Sequence, residues 1–267
     1  MALSLRRILG QTVRVAAALP LPPRGYCCVC ESAIGTFLPY TPSGLRPYRL
    51  PPLMRALEVV GSDVRRFNCP RCLSHDRERH LLLYLRATGL LQELARLRIL
   101  HMAPEANLAR IIGEGRPARY VRGDLFPAEP GVERINLQDI PHAAGSFDLV
   151  IANHVMEHVD DDHAALLEIA RVLAPGGFAI LQTPYSPLLA TTFADSGILR
   201  SAVARLQAYG QEDHVRLYGG DVFKRFTVGG LVDRSVTHAV ALPGIDAYYY
   251  GVNPAEPLFL FQRPPAA

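Results

Sequence analysis

Between residues 98 and 183 the sequence alternates short apolar runs with stretches of helical periodicity, and this alternation restricts the fold more than any other feature. The apolar runs are Arg98–Met102, Arg119–Val121, Phe147–Asn153 and Phe178–Thr183. Helical spacing of apolar residues occupies Ala106–Gly113 and Asp160–Leu173. Strands that alternate with helices in this way are typical of a parallel sheet covered on both faces. We therefore predict an α/β fold with a Rossmann-like, mostly parallel, doubly wound sheet.

Five cysteines lie in two tight groups before this pattern. Four of them form two Cys-x-x-Cys pairs, Cys27 with Cys30 and Cys69 with Cys72. Four soft thiolates match the tetrahedral preference of zinc, and a closed set of four ligands predicts a structural ion. Three other residues are alternative ligands: Cys28, His75 and His80. The alternatives to a metal site are two disulfides or simply buried thiols.

Composition divides the chain into three parts. They are residues 1–24, an N-terminal helix and linker; residues 25–75, a small N-terminal zinc-knuckle module; and residues 76–267, the main domain. Proline and glycine are frequent between Pro20 and Pro52, which excludes long helices there. Ser74 is the predicted N-cap of a helix that joins the knuckle to the main domain. Two late apolar runs are predicted strands: Val236–Leu242 and Leu258–Gln262.

The charge pattern limits the class of partner. The formal net charge is only +3, and the arginines are scattered among acidic residues. Without a sustained basic run, a nucleic acid is a less favoured partner than a small-molecule or glycan substrate. Paired cysteines of the metal-ligand type favour a reducing, cytoplasmic setting.

The N-terminal segment combines Arg6, Arg7 and Arg14 with Leu, Val and Ala. We interpret it as a surface helix, and the alternatives are peripheral membrane contact through this helix or a short signal peptide. Arg14 interrupts the apolar run, and no stretch reaches the roughly 18 to 20 apolar residues that span a bilayer.

Three later segments carry a resemblance to a known family: Ser146–Val150, Asn153–Val159 and Arg171–Gly177. In combination they resemble the core signature of class I S-adenosylmethionine-dependent methyltransferases of the type 11 kind. The chain is similar in particular to a bacterial subgroup with a cysteine knuckle, an Ala-Pro-Glu first loop and a segment like Tyr209–Gly219. The resemblance implies that residues 76–267 are a methyltransferase domain, that residues 185–232 or so cover the substrate, and that S-adenosylmethionine is the cofactor.

The resemblance also implies that loops after successive strands hold the cofactor. The candidate residues, in chain order, are His101, Ala103, Glu105, Asp124, Leu125, Asn136, Asp139, Asn153 and His154. Ala103 stands where this fold usually carries glycine, and Asp124 is placed to accept hydrogen bonds from two ribose hydroxyls. Asn136 stands where the family usually has Asp, and its side-chain oxygen is a candidate acceptor for the adenine amino group.

Methyl transfer to a hydroxyl requires a group that removes a proton, and histidine suits this task near neutral pH. We predict His214 as the base, oriented by Asp213, with His158 as the alternative. Arg216 and Tyr218 are predicted to shape the substrate pocket. His154 and His158 flank Glu157 at a spacing that metal sites use, but a position just after a strand favours packing over a second metal.

These residues predict a methyltransferase that modifies a hydroxyl of a small molecule or glycan. One alternative is an RNA-modifying enzyme, because arginines cluster around the second cysteine pair, although only Phe67 among them is aromatic. Another is a non-catalytic module, because the first loop lacks its glycines. A nicotinamide-dependent enzyme is disfavoured, since no Gly-x-Gly-x-x-Gly follows the first strand.

Overall fold

The computed structural model describes residues 11, 13–19, 22–42, 47–194, 199 and 201–266. The strands are β1 (Gly25–Cys27), β2 (Ser32–Ile34), β3 (Arg98–Met102), β4 (Arg119–Asp124), β5 (Glu133–Arg134), β6 (Phe147–Ala152), β7 (Leu173–Ile180), β8 (Phe193–Ala194), β9 (Arg216–Leu217), β10 (Val232–Asp233) and β11 (Leu260–Gln262). The helices are α1 (residues 13–18), α2 (Pro52–Ala56), α3 (Asp76–Ala87), α4 (Ala106–Glu114), α5 (Asp162–Val172), α6 (Ala202–Tyr209), α7 (Val222–Arg225), α8 (His238–Ala241) and α9 (Ala247–Tyr250). Short 3-10 turns lie at Leu94–Arg96, Met156–His158 and Val228–Gly230.

The core is a seven-stranded sheet in the order β10-β11-β7-β6-β3-β4-β5. The five strands from β7 to β5 pair in parallel, and β11 and β10 add an antiparallel edge. The predicted α/β fold with a mainly parallel sheet is therefore confirmed. Since the strands run in parallel, the loops after β3, β4 and β6 meet at one edge of the sheet.

Alternating residues of the central strands supply the two layers of the core. On one face, Ile99 and Leu149 pack in a cluster with residues of α3 and α4. On the other face, Leu100 and Val150 pack with residues of α5 and of the late part of the chain, including Tyr218. Both faces of the central strands are therefore buried, which explains why their sequences are almost continuously apolar.

The N-terminal module packs directly on the main domain. β1 and β2 form an antiparallel hairpin, and the apolar cluster that contains Ile99 also contains Cys27 and Cys69. The backbone N–H groups of Gly35 and Thr36 both donate to the carbonyl of Ala17 in α1. The described part of the N-terminal helix thus covers the hairpin, whereas the prediction for residues 1–10 lies outside the described residues.

Some predicted boundaries require correction. The N-cap of α3 is His75 and not Ser74, whose hydroxyl faces the paired cysteines instead. The predicted strand Val236–Leu242 is wrong, because only Val236 forms a bridge, to Leu258, before α8 begins. His238 is the first residue of this helix, and its Nδ1 lies 2.8 Å from Nε2 of the buried His80.

No described helix has the combination of length and apolar character that crossing a bilayer requires.

Candidate functional site

A cavity of about 480 Å³ lies at the edge of the sheet where β3, β4 and β6 end. Its volume falls in the range of small-molecule sites. The residues that line it are Met102, Ala103, Asp124, Leu125, Phe126, Ile135, Asn136, Leu137, Gln138, His154, Val155, His158, Val159, Asp160 and Asp213. Five of the nine predicted cofactor residues are among them. A cavity outside the carboxyl ends of parallel strands is where this class of sheet binds ligands.

Asp124 is the last residue of β4 and presents its carboxylate to the cavity. Its Oδ1 accepts a hydrogen bond of 2.7 Å from the backbone N–H of Phe126, which fixes the carboxylate in a tight turn. No described residue donates a hydrogen bond to its other oxygen, Oδ2. Asp124 therefore retains an acceptor for hydroxyl groups of a ligand.

Ala103 follows β3 and adopts a positive φ of 45°. Its N–H donates to the carbonyl of Gly123 at 2.7 Å, which ties the first loop to β4. A left-handed backbone costs an alanine free energy that a glycine does not lose. The chain thus keeps the conformation of a glycine turn at the position where the sequence has Ala.

Asn136 and Asp139 lie in one turn but differ in their relation to the cavity. Asn136 lines the cavity, and its Oδ1 accepts from the backbone N–H of Gln138 at 3.0 Å. Asp139 does not line it, and its N–H donates to the Asn136 carbonyl. The structure thus gives only Asn136 a direct position for ligand contact.

Three other predicted cofactor residues form a hydrogen-bonded network beneath the first loop. The carboxylate of Glu105 pairs with His101 Nε2 at 3.2 Å and accepts from Asn153 Nδ2 at 2.6 Å. Burial of Glu105 opposes its ionisation, but the hydrogen bond with His101 brings the net pKa below its usual value. None of the three lines the cavity, so they support the loop and do not face a ligand.

The predicted catalytic residues lie close together, and two of them line the cavity. His158 and Asp213 both line the cavity, and His158 Nδ1 lies 3.2 Å from Asp213 Oδ2. The ring of His214 packs edge-on against that of His158, with centroids 4.7 Å apart. His214 is buried and does not line the cavity, and burial lowers its pKa. Of the two predicted bases, the structure exposes only His158 to the cavity.

Arg216 and Tyr218, the predicted substrate residues, are buried away from the cavity. The guanidinium of Arg216 donates to the carbonyls of Met156, Val159 and Asp160. The Tyr218 hydroxyl donates to the Met156 carbonyl and lies 3.0 Å from Asp162 Oδ2. Both side chains brace the turn that carries His158, and neither faces a substrate.

A buried network of carboxylates and imidazoles, which the sequence did not predict, lies beside this turn. His154 Nε2 lies 3.1 Å from Glu256 Oε1, and His154 Nδ1 lies 3.4 Å from Glu157 Oε1. Burial and Arg77 both oppose protonation of His154, but the two carboxylates prevail and raise its pKa to about 9. Glu256 comes from the far end of the chain, and no local pattern marks it as a partner of His154.

The four paired cysteines also meet. Their Sγ atoms all lie within 4.8 Å of one another, with Cys27 to Cys72 at 3.7 Å and Cys30 to Cys69 at 3.8 Å. Tetrahedral zinc with bonds of about 2.3 Å places neighbouring sulfurs about 3.8 Å apart, so the four atoms fit one ion. The alternative ligands have other partners. Cys28 Sγ donates to the Arg79 carbonyl, and His75 caps α3. His80 belongs to the buried network of carboxylates and imidazoles through its contact with Glu256.

Comparisons with known proteins agree with this geometry. Residues 113–181 match the family described as a methyltransferase domain. A curated relative, a ubiquinone biosynthesis O-methyltransferase of Caulobacter sp. (strain K31), is 34% identical over 96 residues, which are 36% of this chain and 37% of the relative. The aligned part thus spans little more than a third of that relative's length. The predicted class I methyltransferase family is confirmed at the level of the domain.

Solved structures of methyltransferases match part of this chain at low identity. An S-adenosylmethionine-dependent methyltransferase from Mesorhizobium loti is 17% identical, covers 67% of this chain and 96% of its own, and gives a TM-score of 0.45. A putative methyltransferase of Haloferax volcanii, solved with the Trm112 activator, is 15% identical, with coverages of 71% and 93% and a TM-score of 0.45.

Proposed function

We propose that this chain, which carries a class I methyltransferase domain, transfers a methyl group from S-adenosylmethionine to a hydroxyl group of a small molecule. The observation that supports this most is the cavity itself. Its lining includes an acceptor carboxylate, Asp124, at the end of β4 and an imidazole, His158, on the turn after β6. The carboxylate suits a ribose, and the imidazole suits an acceptor that must lose a proton.

The residues that would hold the cofactor are Ala103, Asp124, Leu125 and Asn136. The cofactor, when bound, supplies a methyl group on a positively charged sulfur. Asp124 Oδ2 would accept from the ribose hydroxyls, and Asn136 stands at the wall of the cavity that suits the adenine. Leu125 and the neighbouring Phe126 are exposed apolar side chains that a flat base would cover.

The acceptor would meet His158 in the same cavity. The carboxylate of Asp213 lies close enough to orient the imidazole, and the proton of the acceptor hydroxyl would be lost at this point. Two further observations bear on the acceptor, one on its hydroxyl group and one on its size. The curated relative is an O-methyltransferase by name, and the cavity is of small-molecule size.

The proposal is tested by incubating cell extracts with the protein and methyl-labelled S-adenosylmethionine, followed by mass spectrometry. We expect a labelled methyl ether whose formation depends on the protein. Titration calorimetry with S-adenosylmethionine provides the separate test of cofactor binding. Absence of cofactor binding would contradict the enzyme proposal as a whole, whereas a labelled methyl on nitrogen or on RNA would contradict only the proposed acceptor.

We also propose that one zinc ion occupies the site formed by Cys27, Cys30, Cys69 and Cys72. A closed set of four thiolates leaves no position for substrate, so the role of this ion is structural. The hydroxyl of Ser74 lies 3.3 Å from Cys27 Sγ and 3.2 Å from Cys72 Sγ, as an outer partner of metal-bound thiolates does.

Replacement of the carboxylate at the end of β4 tests the cofactor site directly. We expect Asp124→Ala to weaken binding of S-adenosylmethionine by about 1 to 3 kcal/mol, because hydrogen bonds to a charged group are lost. Titration calorimetry measures the change. Asp139→Ala is the matched control, since Asp139 is an exposed carboxylate nearby that does not line the cavity. Equal weakening by both variants would contradict a specific role for Asp124.

The positive φ of Ala103 makes a prediction about stability. We expect Ala103→Gly to raise the free energy of unfolding by about 1 kcal/mol, because glycine adopts this backbone without steric strain. Chemical denaturation measures it. Ala106→Gly, in the first turn of α4, is the control and should lower stability by about 0.5 to 1 kcal/mol. Destabilisation by both changes would show that Ala103 is unstrained.

A further inference from the structure

A carboxylate and two imidazoles converge at the edge of the cavity, outside the cysteine site. Glu157, His158 and His214 each bring one ligand atom, and all three atoms lie within 4.8 Å of one another. Two of these residues lie on the 3-10 turn after β6, and the third comes from the segment before β9. We propose that they bind a divalent transition-metal cation, distinct from the ion of the cysteine site.

His214 provides the independent observation. Its Nδ1 lies 3.1 Å from the Tyr209 carbonyl, which can only accept, so the proton of the neutral ring is on Nδ1. The lone pair is then on Nε2, which is buried and has no hydrogen-bond partner in the described part of the chain. A buried acceptor without a donor is costly. Nε2 lies 3.9 Å from Glu157 Oε1, so a cation between the two atoms would give Nε2 a partner and would share Glu157 Oε1 with His154.

Each of the three side chains also has an outer partner that fixes its orientation. Glu157 Oε2 accepts from the Thr183 hydroxyl at 3.0 Å, Asp213 lies beside the ring of His158, and the Tyr209 carbonyl holds His214. Ligands of bound metals are oriented in this way by carbonyls, carboxylates and hydroxyls. Packing alone would not require each of the three side chains to have a partner at the atom that points away from the proposed ion.

Distance and charge are compatible with an ion. Ligand atoms at about 2.1 Å from a metal lie roughly 3.0 to 3.5 Å apart, so binding would draw Glu157 Oε1 and His214 Nε2 together by about half an ångström. Three carboxylates, Glu157, Asp160 and Asp213, lie on or beside the cavity wall, against one guanidinium, Arg216, which donates to the backbone carbonyls of the same turn. Their net negative charge favours a cation.

The donor set indicates the class of metal. Two imidazoles and one carboxylate suit zinc and similar transition ions, whereas the four thiolates of the other site form a closed soft set. Three protein ligands leave coordination positions open, and His158 faces the cavity. An open site of this kind admits an oxygen of a second molecule.

The role of this ion rests on the proposed function, although its binding does not. When the ion is bound, His158 is one of its ligands and no longer accepts the proton; instead, a hydroxyl bound to the ion has a lowered pKa and loses its proton to solvent at the exposed carboxylate of Asp213. The oxygen then bonds to the methyl carbon as the carbon–sulfur bond breaks, and the electron pair of that bond remains on sulfur.

Zinc content, measured by elemental analysis of the full chain after equilibration with zinc and dialysis, tests the proposal. We expect about two zinc ions per chain in the wild type and about one in His214→Ala, because only the cysteine site remains. His163→Ala is the matched control, since His163 is exposed on α5, and should keep about two. One ion per chain in the wild type, or two in His214→Ala, would overturn the proposal.

The ion of the cysteine site is an internal standard for folding. If His214→Ala also loses the ion of the cysteine site, Glu157→Gln, which keeps the shape of the side chain, replaces it in the measurement. We expect about one zinc ion per chain in this variant too. Methyl transfer at full rate by wild type that holds a single zinc would overturn the ion's role but leave the proposed function intact. Two bound ions without methyl transfer would support the metal site and contradict the proposed function.

Discussion

Cys69→Ser is expected to lose the bound zinc of the cysteine site and to lower the free energy of unfolding by about 3 kcal/mol or more. Binding free energies of structural zinc are large, about 10 to 16 kcal/mol in small domains, and that free energy contributes to folding. Cys69 is fully buried, and its Sγ lies 3.8 Å from that of Cys30, so no other described side chain is placed to replace it.

The comparison variant is Cys28→Ser. Cys28 is equally buried and lies between two of the ligands, but its Sγ donates to the Arg79 carbonyl, and burial raises its pKa to about 12. It stays a neutral thiol, so its replacement should leave the zinc content unchanged. Elemental analysis and thermal unfolding, with and without a chelator, measure both effects. Equal zinc content in Cys69→Ser and wild type would contradict the site.

The loss of stability in Cys69→Ser should extend beyond the zinc-knuckle module. Cys27 and Cys69 pack in the same apolar cluster as Ile99 of β3 and Leu149 of β6. These two strands end at the cavity, so an unfolded knuckle would expose one face of the sheet that shapes it. We therefore expect a single cooperative unfolding transition that moves to lower temperature, and not the loss of a separate small domain.

The sequence allowed the sheet to be predicted because periodicity is local. β3, β6 and β7 contain apolar runs separated by helical stretches, so a mostly parallel sheet could be predicted, whereas the order β7-β6-β3-β4 follows only from the structure. Asp124 was placed at the ligand edge for the same reason, since it ends a strand. The boundary of β7 was missed because Gly176 has a φ of 83° and continues the strand through an irregular turn.

The arrangement of the acceptor end was harder to predict because it depends on contacts between distant segments. His158 and His214 are 56 positions apart, and only the fold shows that one faces the cavity while the other packs behind it. His214 was predicted as the base because it lies in a segment rich in polar residues, 211–218. In the structure, however, Arg216 of this segment donates hydrogen bonds to three backbone carbonyls. Glu256 was missed because nothing near it in sequence indicates that it meets His154.

His158→Ala is expected to lower kcat by about 10²- to 10⁴-fold, the usual contribution of a group that removes a proton from the attacking atom. The reason is its position, since among the two predicted bases only His158 lines the cavity, with Asp213 beside its ring. Binding of S-adenosylmethionine should change little, because His158 is not among the residues proposed to hold the cofactor. Turnover with the identified acceptor and titration calorimetry on the same preparation measure the two quantities.

His163→Ala controls for the loss of an imidazole on the surface, and Asp213→Asn separates catalysis from packing. An amide at position 213 keeps the shape but removes the charge that orients the ring, so kcat should fall while the unfolding temperature stays close to that of the wild type. If His158 only packs against His214, His158→Ala should instead lose thermal stability, and Asp213→Asn should leave kcat unchanged. A stable His158→Ala variant with full turnover would exclude this residue from proton removal and require the acceptor to lose its proton elsewhere on the cavity wall.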